Sequence, residues 1–205
     1  MNEQDQGVRQ RNWMLLTDAG WTEPADEGAA QVPPVEAIVG GWLVEPDGVV
    51  GRFTPNPLYQ PEDPEAPTSP VDAAARLVAT GRAGVDAVLL ALRDSLVDVA
   101  LDSVGDVIVA SAPDDVPCVL VATGTADQAR VDAAGWRQVD LDELLTLLPD
   151  GVDVLLNPGG HRAMRLFADA LRDVVVEGDP QGGDALREVV VAGDPQGGDA
   201  SPSTR

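Results

Sequence analysis

Three residue types that carry much of protein chemistry are scarce in this chain. Its 205 residues include no lysine, one cysteine and one histidine. Cys118 cannot form an internal disulfide, and one cysteine with one histidine cannot supply the ligands of a structural zinc site. A P-loop needs lysine, and no G-x-G-x-x-G sequence is present. We therefore predict no metal site and no cofactor.

A catalytic site is also hard to assemble from these residues. A Ser-His-Asp or Cys-His arrangement would have to use His161, the one histidine. No nucleophile motif accompanies His161, and an exposed position at the start of a helix is the simpler interpretation. Cys118 lies in the apolar run VPCVLV, where a buried core thiol is expected. We predict a protein without catalytic residues, and therefore not an enzyme.

Aromatic residues and long apolar runs are scarce as well. Aromatic residues make up 3% of the chain, so the core must be built from Val, Leu, Ala and Ile. No apolar run reaches the length of a membrane span, and residues 1–16 are too polar for a signal peptide. We expect a cytoplasmic protein that does not insert into membranes.

The charge has one dominant sign. There are 35 acidic residues against 13 basic ones, all of them arginine, for a formal net charge of −22. Codon usage in a GC-rich genome accounts for such a composition. An acidic surface nevertheless repels phosphate backbones and anionic membranes, so no nucleic acid partner is predicted. A basic protein surface is the better match.

The first 57 residues predict a small β unit. Residues 45–48, Glu-Pro-Asp-Gly, are typical of a turn between two β-prone runs, which indicates a hairpin. Residues 58–70 are rich in proline and acidic residues and are interpreted as a linker. The expected strands are residues 12–16, 38–44 and 49–53.

Residues 71–177 predict the main domain, an α+β fold with a short mixed β-sheet and helices packed on one side. Its first helix has Ser69 as cap and Pro70 in the first turn, and a second follows at residues 85–95. In a later helix, Asp140 is the expected cap, and Glu143 completes a capping-box pattern. The expected strands are the apolar runs LVDVALD, DVIVA, CVLVAT and VDVLLN, and a last helix is expected from about Arg162.

Two groups of residues are candidates for binding. Aromatic and apolar residues concentrate near the hairpin, either as a small core of the β unit, the favoured interpretation, or as an interaction surface. The second group consists of strand-end turns near Gly124 and at residues 157–160, and it supports a small-molecule-binding or enzymatic alternative. The candidate interaction surface is Trp42, Phe53, Leu58 and Tyr59, and the second turn is Asn157, Pro158, Gly159 and Gly160.

Several segments resemble a known bacterial family. These segments are NWMLL, PPVEAIVGGW, GRFTPNPLY, VPCVLVATG and, above all, GWRQV followed by LLTLLPDGVDVLLNPGG. They are similar to SseB-like proteins, and more closely to type VII secretion system-associated proteins that carry an SseB-type domain. The resemblance extends over residues 12–175, and residues 148–160 are its most specific part.

The resemblance implies an α+β fold and an association with type VII (ESX-like) secretion, without a defined active site. We therefore expect an adaptor or chaperone-like protein that binds secretion components or their substrates. A role linked to amino-acid metabolism is a weaker alternative, suggested by the family's name.

The chain ends in a duplicated segment. Residues 170–184 and 185–199 agree at thirteen of fifteen positions, and two such short copies are too few for a solenoid. The first copy is interpreted as the end of the last helix, closed by Gly178 and Pro180. Residues 178–205 are expected to form a flexible acidic tail.

Overall fold

The computed structural model of the protein describes residues 12–21, 33–63, 65–160 and 162–177. Within these ranges the chain forms two β-sheets and five α-helices. The predicted α+β class is therefore confirmed. The predictions for His161 and for residues 178–205 lie outside the described residues.

The strands and helices are numbered along the chain. The strands are β1 (Asn12–Thr17), β2 (Ile38–Val44), β3 (Val50–Pro55), β4 (Val97–Leu101), β5 (Val109–Ser111), β6 (Pro117–Ala122), β7 (Gly135–Val139), β8 (Asp153–Leu156) and β9 (Met164–Leu166). The helices are α1 (Pro70–Ala79), α2 (Asp86–Arg93), α3 (Thr125–Gln128), α4 (Leu141–Leu147) and α5 (Ala168–Glu177).

The first three strands form an antiparallel sheet in the order β1-β2-β3. Its hairpin is closed where the Glu45 N–H donates to the Val49 carbonyl at 2.9 Å. Gly48 adopts φ 86° in this turn, a conformation that glycine reaches at no steric cost. The pairing of β1 with β2 adds a third strand to the predicted hairpin, and β1 becomes the outer edge of the sheet.

The second sheet is mixed, with the order β7-β4-β6-β8-β9 and with β5 also paired to β6. Strands β6 and β8 run parallel, and the other pairs are antiparallel. Helices α1, α2, α4 and α5 all contribute to the main core on one face of this sheet, as predicted. Its fully buried members include Val71, Leu92, Val99, Leu144, Leu156 and Leu171.

The opposite face of the second sheet carries a smaller apolar cluster that includes Ala100, Cys118 and Leu155. Cys118 is fully buried, and burial raises the pKa of its thiol to about 11. The thiol is therefore protonated at neutral pH and is a poor nucleophile. This placement agrees with the interpretation of Cys118 as a core residue.

Two predicted helix caps are present. The Ser69 hydroxyl accepts a hydrogen bond from the Asp72 N–H at 3.0 Å, and Asp140 Oδ1 accepts one from the Glu143 N–H at 2.9 Å. Both bonds satisfy a backbone donor that the first turn of a helix leaves unpaired. The Glu143 carboxylate does not complete a capping box, because it pairs with Arg137.

The prediction of a helix from about Arg162 is wrong. Met164–Leu166 is instead strand β9, antiparallel to β8, and α5 begins only at Ala168. Met164 and Leu166 are buried in the main core, whereas Arg165 between them pairs with Asp153 at 2.7 Å. Apolar residues at 164, 167, 171 and 174 match a helical period, but the alternation at 164–166 matches a strand equally well.

The first sheet contacts the part of the chain that holds the second sheet through main-chain hydrogen bonds and side-chain ion pairs of β3. The Phe53 N–H donates to the Asp94 carbonyl at 2.7 Å, and the Leu96 N–H donates to the Phe53 carbonyl at 2.8 Å. Arg52 of the same strand pairs with Asp140 and Asp142 at the start of α4. The two sheets are therefore connected directly, beyond the chain between them.

The segment predicted as a linker is packed at both of its ends. Tyr59 is buried in the first sheet's core, and Thr68 and Ser69 are buried beside α1. The Arg76 side chain of α1 donates to the carbonyls of Glu65 and Ala66. None of the helices formed by the described residues is long and apolar enough to cross a membrane.

Candidate functional site

The four residues of the predicted interaction surface do not form a common surface. Phe53 is fully buried, and Tyr59 is 4% exposed. They share a small core with Val39, and the ring of the half-buried Trp42 packs edge-on against Phe53 with centroids 4.9 Å apart. Leu58 alone is well exposed, at 63%. The small-core interpretation therefore holds for Phe53 and Tyr59.

The sequence around β2 explains why this core forms. A Cβ atom at Gly40 would collide with the Phe53 ring, so only glycine lets the ring lie across the strand. The Phe53 side chain thereby packs beneath the first sheet rather than facing solvent. This arrangement leaves Trp42 at the rim of a groove.

This apolar groove lies between the end of β1 and the first turn of α1, with a volume of about 370 Å³. Its walls come from the first sheet on one side and from the segment before α1 on the other. The groove therefore exists only because the first sheet packs against α1. The side chains that line it include Leu16, Val39, Trp42, Tyr59, Pro67 and Ala73.

An acidic pocket of about 330 Å³ adjoins the apolar groove. Asp18, Glu36 and Glu62 line the pocket together with Trp21, and Asp18 also lines the groove. None of these three carboxylates is in an ion pair with an arginine of the described residues. We call the groove and the pocket together the cleft.

Asp18 is held firmly where the two halves of the cleft meet. One carboxylate oxygen accepts the Gly20 N–H at 2.7 Å, and the other accepts the Tyr59 hydroxyl. Burial, and then the Asp18 carboxylate, raise the pKa of Tyr59 far above its ordinary value. The Tyr59 hydroxyl therefore stays protonated and can donate to Asp18, which positions the carboxylate at the mouth of the groove.

Strand β1 continues from the groove along the open edge of the first sheet. It pairs with β2, and no second partner strand is found in the described part of the chain. Trp13, Met14 and Leu15 follow one another along this edge with roughly half of each side chain exposed. An edge strand with unpaired backbone groups and exposed apolar side chains is typical of a surface that another chain covers.

The two strand-end turns on which the small-molecule alternative depends lie at the same edge of the second sheet. Strands β6 and β8 are parallel, so Gly124 and the turn at residues 157–160 lie at the same edge of the sheet. Asn157 Oδ1 accepts the Thr123 N–H at 2.9 Å, and Asn157 Nδ2 donates to the Thr123 hydroxyl at 2.9 Å. The polar groups of the two turns therefore bind each other.

The space beside Gly124 is filled by the protein's own side chains. A Cβ atom at Gly124 would lie 3.2 Å from the Thr68 carbonyl oxygen, and the Thr68 hydroxyl donates to Asp127 at 2.8 Å. Arg130 pairs with the same carboxylate at 2.5 Å. Burial raises the pKa of Asp127, partly offset by the Thr68 hydrogen bond. A ligand at this edge would have to displace these bonds.

The sequence alone identified only some of the residues that line the cleft. It singled out Trp42 and Tyr59 as a candidate surface, but the groove also needs Leu16, Pro67 and Ala73. These residues belong to three separate segments, and nothing in the sequence indicates that they meet. Comparisons of the chain with family models, with curated proteins and with solved structures found no match.

Proposed function

We propose that this chain is a non-enzymatic accessory protein of the cytoplasm, of the adaptor or chaperone-like kind, that acts by binding another protein. The observation that carries the proposal is the open edge of β1, where Trp13, Met14 and Leu15 are exposed beside the cleft. A partner strand on this edge would satisfy backbone donors and acceptors and remove apolar side chains from water.

The sequence resemblance supports a proposal for the cellular system in which this binding takes place. The segments similar to type VII secretion system-associated proteins include NWMLL, which is most of β1, and GRFTPNPLY, which ends at Tyr59 of the cleft. We therefore propose that the partner is a component or a substrate of a type VII (ESX-like) secretion system.

The electrostatics favour a protein partner over nucleic acid. Eight of the nine described arginines pair with carboxylates of the same chain, so the described part of the chain leaves little positive charge to bind phosphates. The excess of carboxylates gives a formal net charge of −22. Such a surface attracts basic protein surfaces and repels a nucleic acid backbone.

Affinity purification tests this function. A tagged chain would be expressed in its native host and crosslinked, and the proteins retained would be identified by mass spectrometry. We expect the native chain to retain a secretion-system protein and the double variant Trp13→Ser, Leu15→Ser to lose it. Val104→Ser, at another exposed apolar residue, is the matched control. Recovery of no secretion-system protein, or equal recovery by the double variant, would contradict the proposal.

A small-molecule-binding or enzymatic role, including one in amino-acid metabolism, is the second candidate. It is supported by the meeting of the Gly124 turn with residues 157–160 at the ends of parallel strands, where α/β sheets often bind ligands. A thermal-shift screen of common metabolites checks this alternative. A screen in which no metabolite raises the melting temperature would count against it.

A further inference from the structure

We propose that the cleft binds a segment of the partner in which apolar residues stand next to lysine or arginine. This inference rests on the proposed protein-binding function and specifies the chemistry of the partner. The apolar side chains would occupy the groove at Trp42 and Ala73, and the cationic side chain would enter the acidic pocket.

The groove suits apolar side chains. Its volume of about 370 Å³ lies within the range of roughly 300–1,000 Å³ that is typical of binding pockets. Its lining consists mostly of Leu, Val, Pro, Ala and aromatic side chains, and Thr17, Asp18 and Ser69 are its polar residues. Filling it removes apolar surface from water on both partners.

The acidic pocket specifies a cation next to those apolar side chains. Glu36 and Glu62 are exposed carboxylates without an arginine partner in the described residues, and Asp18 is held between the two halves. The Trp21 side chain lines the same pocket, and an indole ring attracts a cation over its face. A lysine or arginine in this pocket would gain both interactions at once.

The charge of the chain itself argues against three other occupants. Residues 22–32, which follow Trp21 in the sequence, contain three acidic residues and no basic one. Residues 178–205 contain five acidic residues and two arginines, and a second copy of the chain carries a formal charge of −22. Each of these would bring negative charge towards Asp18, Glu36 and Glu62, which costs free energy. A basic partner brings the opposite charge.

Selection from random peptides tests the inference without a known partner. A phage-displayed library of random twelve-residue peptides would be panned on the full chain, and the affinities of selected peptides would be measured by fluorescence polarisation. Two variants alter the cleft: Glu36→Gln with Glu62→Gln removes the charge, and Ala73→Leu fills the groove. The double variant Asp132→Asn, Asp173→Asn removes the same charge from exposed sites elsewhere and is the matched control.

We expect the selected peptides to carry lysine or arginine within a few residues of apolar side chains. Glu36→Gln with Glu62→Gln should weaken their binding roughly fivefold, a typical result for two exposed charges. Ala73→Leu should weaken binding by about tenfold or more, and the control variant should stay within about twofold. Unchanged melting temperatures for all variants would show that the fold is retained.

Several outcomes would overturn the inference. These are selection of no peptide, selection of acidic peptides, or binding that neither cleft variant weakens. Self-association that Ala73→Leu abolishes would assign the cleft to a second copy. A more than tenfold gain in peptide affinity on deletion of residues 22–32 would assign it to the chain itself.

The two proposals fail in different ways. If the tagged chain still retains a secretion-system protein and Ala73→Leu has no effect on that retention, the cleft inference fails and the proposed function stands. If selected peptides bind as expected and no secretion-system protein is retained, the cleft specificity stands and the secretion role fails.

Discussion

At the scale of single residues, two buried carboxylates, Asp98 and Asp127, differ in how well the fold stabilises their ionised forms. Asp98 lies on β4 between Val97 and Val99, on the sheet face opposite the main core. Burial raises the pKa of its carboxyl, and a hydrogen bond with Gln128 offsets part of that effect. No arginine pairs with Asp98 among the described residues, unlike Asp127, which has Arg130. Its ionised form is therefore poorly stabilised in the fold.

The Asp98→Asn variant should raise stability at pH 8. The pKa of Asp98 is higher in the folded than in the unfolded chain. The Asp98 carboxyl therefore makes its largest contribution to the free energy of unfolding at low pH. That contribution is lost as pH rises through the folded-state pKa. The melting temperature of Asp98→Asn should thus exceed that of the native chain at pH 8, and the difference should shrink towards pH 4. Asp132→Asn, at an exposed site, should show no such trend. A less stable Asp98→Asn at pH 8 would contradict this explanation.

Asn157 shows at the same scale how a single turn residue stabilises the fold. It adopts φ 47°, in the left-handed region that Asn tolerates better than most residues. Its buried side chain bonds to both the backbone and the hydroxyl of Thr123, and its own N–H donates to the Val121 carbonyl at 2.7 Å. One residue thus joins the ends of β6 and β8.

At the scale of elements, the duplicated segment contributes one helix to the described fold. Helix α5 ends at Glu177, and the residues that it buries are Ala168, Ala170 and Leu171, with Val174 and Val175 partly buried against the main core. All of them belong to the first copy or precede it. The second copy, residues 185–199, lies outside the described residues.

Deletion of residues 185–205 should leave the fold intact, because the residues that α5 is seen to bury all lie outside the deleted range. The free energy of unfolding should change by less than about 0.5 kcal/mol, as for surface changes in general, which is roughly 1–2 °C in melting temperature. Leu171→Ala is the contrasting variant, because it removes a fully buried side chain and should cost about 2–5 kcal/mol. A large fall in melting temperature on deletion would mean that the second copy packs on the fold.

At the scale of the whole molecule, the net charge of −22 opposes the compact state. The arginine pairs do not cancel this repulsion, because 35 acidic residues outnumber 13 basic ones. Many of the pairs are also exposed to solvent. Exposed pairs stabilise a fold by only about 0–1 kcal/mol each. Repulsion among the remaining carboxylates should therefore dominate the response to salt.

We expect the melting temperature at pH 7 to rise as NaCl is increased from low to moderate concentration, because salt screens this repulsion. The rise should be smaller at pH 4, where part of the carboxylates is protonated. The same titration with KCl separates screening from binding of a particular cation. A steady fall of the melting temperature with salt would mean that the ion pairs outweigh the repulsion.

Local patterns predicted those features whose interactions are themselves local. The cap bonds at Ser69 and Asp140 join residues three apart, so the sequence contains both partners. Strand β7 was missed because it lies at a sheet edge with Arg137 and Gln138 exposed, which leaves little apolar signal. Strand β9 was mistaken for a helix because three residues are too few to separate the two periods.

Composition and neighbours along the chain are enough to predict the α+β class, the hairpin, the helix caps and the excess of negative charge. The burial of Phe53 and Tyr59, the open edge at β1 and the placement of Asp18 and Ala73 in one cleft follow only from the folded structure. Those outcomes depend on how the first sheet packs against α1, through contacts between residues that lie tens of positions apart.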